Sequence, residues 1–126
     1  IEAFKDDLEQ SAVLCIVSAW FHRINKLKEA DSFARKAHMT ATQHALLPEE
    51  AQALHMRAQI SCSLGDFESG FLFYREALGI CKRLSESFTD SADRDLYLNQ
   101  PWILNLFGEI RRLGSTLGNK KGQVVA

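Results

Sequence analysis

Sliding the chain against itself at an offset of forty residues aligns Leu14 with Leu54, Phe33 with Phe73, Arg35 with Arg75 and Ala37 with Ala77. Small residues coincide at Ser18/Ala58 and Ala30/Gly70, and apolar ones at Ile16/Met56, Ile24/Leu64 and Leu27/Phe67. A fixed period of this length restricts the fold to units written twice, each burying one face on its neighbour. Asn25 meets Gly65 at the point where the pattern inside each unit breaks, and both residue types tolerate positive φ.

Within the first copy, Ile1, Phe4, Leu8, Ala12, Cys15, Ile16, Ala19, Trp20 and Ile24 recur at helical spacing, with Lys5, Asp6, Asp7 and Glu9 off the stripe. A second helical pattern runs through Leu27, Ala30, Phe33, Ala34, Ala37, His38 and Ala41. The turn between them is too short for anything but an antiparallel hairpin. Pro48, followed by Glu49 and Glu50, starts a third helix, because proline has no N–H to leave unpaired in the first turn and carboxylates favour the positive helix end. That helix reaches about Leu64, where Gly65 suits a left-handed stop and Asp66 can cap a fourth helix from Phe67 to Leu84. Residues 85–100 are polar, rich in Ser and Asp, and read as a linker or inserted loop with room for a short turn of helix. Pro101 opens a fifth helix with Trp102, Ile103, Leu106, Phe107, Ile110, Leu113 and Leu117 on one face, ended by Gly118-Asn119.

The expected fold is therefore all-α: antiparallel helical hairpins stacked as an α-solenoid, with about five main helices in a single domain over 1–126. Hairpin 1 covers about 1–44, hairpin 2 about 48–84, the linker 85–100 and the terminal helix 101–117.

Ala58, Gly65-Asp66-Phe67, Gly70, Tyr74 and Ala77-Leu78 resemble the tetratricopeptide signature in order and spacing. The first copy carries Leu14, Ser18, Phe21, Ala30 and Ala37 in the matching places, but Ala34 stands where an aromatic is usual. In the second, Arg57 and Ser61 replace an apolar residue and an aromatic. A forty-residue period is similar to the extended repeats of kinesin light chain, rapsyn and spindle-orientation adaptors, and Leu117-Gly118-Asn119 looks like the junction between two such repeats. The resemblance is good from about Ser11 to Leu84 and loose elsewhere.

That resemblance implies a module that binds a protein or peptide in a groove lined by the first helix of each hairpin. Carried over position by position, it assigns Ala12, Cys15, Ala19, His22 and Arg23 from the first copy. From the second it assigns Gln52, His55, Gln59, Cys62 and Ser63. The groove is expected to be mixed and mildly polar, able to hydrogen-bond an extended or helical peptide; the alternative is a solvated helix face. The Lys and Asn of a carboxylate clamp are replaced here by Cys15 and Ala19, which argues against capture of a C-terminal carboxylate. A second functional class remains open, a ligand- or peptide-sensing regulatory domain of a larger signalling protein or transcription regulator.

Composition fits these readings. Hydrophobic residues at 46% and charged residues at 25%, with seven Gly and two Pro, describe a helix-rich globular chain rather than a disordered one. A net charge of −1 leaves no overall electrostatic footprint for nucleic acid. No apolar run is long enough to span a membrane. Cys15, Cys62 and Cys81 form no CxxC pair, so reduced thiols and an intracellular, cytoplasmic setting are expected. The four histidines make no HExxH, and no GxGxxG, GxxxxGK[ST] or GxSxG occurs, so no cofactor, metal or enzymatic activity is indicated. His55 and Cys62 share a helix face but stand about 10 Å apart along it, too far for a catalytic pair. Ile at the start and Val124-Val125-Ala126 at the end suggest a piece of a longer protein, and uncapped repeat faces suggest self-association.

Overall fold

Apolar residues at helical spacing account for every long element of the computed structural model, which describes the backbone of residues 2–125 and the side chains of residues 10–118. The expected contributions of Ile1, Phe4, Leu8 and the acidic side chains before Gln10 lie outside the described residues. Six helices follow one another: α1 (Glu2–Arg23), α2 (Leu27–Gln43), α3 (Leu47–Ser63), α4 (Phe67–Ser85), α5 (Ser91–Leu98) and α6 (Pro101–Val125). No strand occurs among the described residues. Neighbours pack in chain order, α1 on α2, α2 on α3 and α3 on α4, while α6 rather than α5 makes the main further contact with α4.

The two intra-hairpin turns are built alike. Asn25 and Gly65 take φ of 62° and 85°. Lys26 N–H donates to Phe21 O and Asp66 N–H to Ser61 O, both at 2.9 Å, and Asn25 and Gly65 donate to His22 O and Cys62 O at 3.1 and 3.0 Å. This pair of bonds is a Schellman stop, which satisfies carbonyls at the helix end and needs a left-handed residue at its apex. Asp66 then caps α4 by accepting from Ser69 N–H at 3.2 Å, and this bond holds its carboxyl below the usual aspartate range.

The same stop closes α2, with Leu46 N–H on Ala41 O at 2.9 Å, but its left-handed residue is Ala45, at φ 53°. A Cβ in that region costs about 1 kcal/mol. Ala45→Gly is thus expected to raise the unfolding free energy by about 1 kcal/mol, read from the urea midpoint at unchanged slope; no gain would mean the alanine is unstrained there.

Small residues set the helix separations. Ala30, Ala34, Ala37 and Ala41 of α2 are all fully buried. Against them, the buried hydroxyls of Ser11 and Ser18 donate to Ala37 O at 3.1 Å and Ala30 O at 2.6 Å, so neither loses hydrogen bonding on leaving water. In hairpin 2 these positions are Ala51 and Ala58, equally buried. The larger core cluster joins Leu54, Tyr74, Ala77 and Leu78 to Ile103, Leu106 and Leu113 of α6.

Two expectations need correction. Residues 85–100 are not an unstructured linker, for Ser85 ends α4 and α5 makes a sixth helix. Asp90 caps it on Ala92 N–H at 2.9 Å, and Arg94 binds back to Ser85 O and Phe88 O at 3.2 and 2.9 Å. Tyr97 meets Phe88, ring centroids 5.5 Å apart. Burial, then the neighbouring Cys81 thiol, pushes its hydroxyl up to about 12. Nor does Gly118-Asn119 end the last helix, which continues to Val125. Gly118 does not take positive φ, and Lys120 stands where a turn like the one at Gly65 would need an apolar residue such as Phe67.

Candidate functional site

Packing α3 between α1 and the start of α6 leaves a concavity of about 420 Å³ on the side away from α2 and α4. α1 contributes Ala12, Cys15, Ile16 and Ala19, α3 contributes Gln52, His55 and Met56, and Trp102 closes the α6 end. The alanines create the hollow, since a longer side chain at Ala12 or Ala19 would fill it. Ile16, Met56 and Trp102 give it an apolar lining, with Gln52 and His55 as the polar groups.

His55 is the best-held polar side chain of the site. Its ring lies 6.0 Å from Tyr74 and 5.9 Å from Trp102, centroid to centroid. Nε2 faces Asn105 Oδ1 at 3.2 Å, and the Gln59 amide lies 3.4 Å from the same nitrogen. Burial lowers its pKa, outweighing the Asn105 bond and the Glu109 charge, so the imidazole is neutral at pH 7. With Nε2–H donated to Asn105, Nδ1 keeps a lone pair.

The ten positions assigned by resemblance divide. Ala12, Cys15, Ala19, Gln52 and His55 meet around the cavity. His22 pairs with Ser63 at 2.8 Å, bridging α1 to α3 toward the turns. Gln59 joins the site through His55, whereas exposed Arg23 lines no part of the cavity. Cys62 faces α4, where a Cβ on Gly70 would lie only 2.5 Å from its Sγ.

Three lining residues were missed. Ile16 and Met56 were visible as an apolar pair forty residues apart, whereas Trp102 had no sequence signal, because the insertion before α6 hides its register. The cavity is accordingly less polar than expected.

Its chemistry is that of contact, not of bond making. Burial raises the Cys62 and Cys81 thiols and, with Glu49 adding, pushes Cys15 up to about 11, so all three are protonated and weakly nucleophilic at pH 7. Among the described residues no group of three or more His, Cys, Asp or Glu side chains could hold a metal ion, and no helix is long and apolar enough to cross a membrane.

On the opposite side, Arg57 lies over the Phe73 ring at 4.3 Å and donates from Nη1 to His38 Nδ1 at 2.7 Å. His38 Nε2 approaches Glu50 at 3.8 Å. Burial and the Arg57 charge lower the His38 pKa, keeping it the neutral acceptor that this bond requires. This cluster ties α2, α3 and α4 together. Comparison with protein-family models, with curated proteins and with solved structures finds no match for the chain.

Proposed function

We propose that the chain is a protein-interaction module of tetratricopeptide type, its hairpins stacking as an α-solenoid and its α1–α3–α6 groove taking a partner peptide. The observation that carries this reading is the convergence of Ala12, Cys15, Ala19, Gln52 and His55 on one cavity. These residues come from two helices and were assigned by position in the motif alone. The apolar lining suits one anchoring side chain of the peptide, while Gln52 and the free His55 nitrogen suit its backbone amides.

A displayed library of short peptides selected against the full chain tests the proposal. The reading expects enriched sequences sharing an apolar anchor, and at least about tenfold weaker binding to Ala19→Arg, which fills the cavity from the α1 side. Arg35→Ala, on the far side, serves as control. Selected peptides that bind Ala19→Arg and the parent equally would remove the groove assignment, provided the variant keeps its helical circular dichroism.

A further inference from the structure

α1, α3 and α6 carry apolar residues at corresponding positions, yet only two of the three helices have them covered. In α3, Ala53 and Ile60 are fully buried, and Ile60 sits in a cluster with Ala30 and Ala34 of α2. In α6, Leu106 and Leu113 are buried in the cluster containing Tyr74, Ala77 and Leu78 of α4. The α6 register follows from Pro101 and Leu117-Gly118, which stand fifty-three residues after Pro48 and Leu64-Gly65. The matching pair in α1, forty residues before Ala53 and Ile60, is Val13 and Trp20. They are 55% and 56% exposed, beside Ile16 and Ile24 at 68% and 44%. Four large apolar side chains thus share one solvent-facing stripe at a place where the other two helices receive the helix before them.

We propose that this α1 face docks an amphipathic helix of a partner protein, packed as α2 packs on α3. The α2–α3 contact defines what that helix must offer. Alanines one turn apart, as at Ala30 and Ala34, leave room for a bulky residue such as Trp20. An aromatic beside them, as Phe33 stacks on Phe21 at 5.4 Å, extends the contact. A second copy of the chain has no free face of this kind, because α3 covers its α2 and α6 covers its α4. The surface is separate from the peptide groove except for Ile16 at their shared edge, so either assignment can fail without the other.

A tandem variant tests the docking geometry: residues 1–46 followed directly by 7–126, which sets a duplicate α2 before the second α1 in the forty-residue register. Phe replaces the first-copy Trp20 and Trp102, leaving the second-copy Trp20 as the only reporter. Docking predicts blue-shifted emission, at least about threefold weaker acrylamide quenching than in the Trp102→Phe parent, and a Tm higher by about 5 °C. Asp at the second-copy Ile16 should abolish the gain, while Ile16→Asp in the parent leaves Tm within about 2 °C, because that side chain is already in water. A Trp20 that stays as quenchable as in the parent, while helix content rises with the added residues, would overturn the proposal. Sedimentation of the parent tests the choice of occupant. A monomer across the micromolar range agrees with it, whereas a dimer broken by Trp20→Asp would assign the face to a second copy and overturn it.

Discussion

Gly70→Val is expected to lower the unfolding free energy by about 3 kcal/mol, as an overpacked contact between two helices does. At this position α4 crosses α3 so closely that a Cβ would lie 2.5 Å from Cys62 Sγ and 3.2 Å from Ala58 O. The thiol can turn away but the carbonyl cannot, so a branched side chain must push the helices apart. Gly70→Ala is milder, since about 1 kcal/mol of helix propensity offsets part of the clash. Combining it with Cys62→Ala removes the sulfur. The double variant should be at least as stable as Cys62→Ala alone, with a coupling of about 1 kcal/mol or more in a double-mutant cycle by urea denaturation. A Gly70→Val protein within about 0.5 kcal/mol of the parent would mean that α3 and α4 do not approach as described.

That close approach was legible, because Gly70 aligns with Ala30 and both had to be small. The Gly65-Asp66 turn was legible for a related reason: a left-handed residue followed by a capping carboxylate is local chemistry, and local chemistry is written in adjacent residues. Ala45 shows the limit. Its left-handed conformation is imposed by the packing of α2 against α3, and alanine gives no sign of it. α5 escaped because eight residues are two helical turns, too few for a period to emerge from a Ser- and Asp-rich background. Gly118 misled in the other direction, since glycine permits a stop without compelling one. The site divides along the same line. Five of its lining residues followed from position within the motif, Ile16 and Met56 were present in the self-match, and Trp102 depended on where an insertion of unknown shape delivers α6.

Leu106→Ala should therefore report on fold and site together, with an expected cost of about 3 kcal/mol. Leu106 is fully buried in the cluster that joins α6 to α4, and truncation leaves a cavity that neighbouring helices fill only in part. Leu96, on the short inserted helix and 73% exposed, is the control; Leu96→Ala should cost under about 0.5 kcal/mol. Leu106 lies one turn beyond Trp102 and next to Asn105, the residues that hold His55 at 5.9 Å by ring contact and 3.2 Å by hydrogen bond. If its anchor loosens, both supports loosen with it, and His55 gains access to water. Its depressed pKa should then rise toward the ordinary imidazole value, observable by proton NMR titration of the folded variant. An unfolding cost with the His55 titration unmoved would show that α6 contributes to the core without shaping the cavity. A cost no larger than that of Leu96→Ala would show that α6 is not anchored to α4 through Leu106.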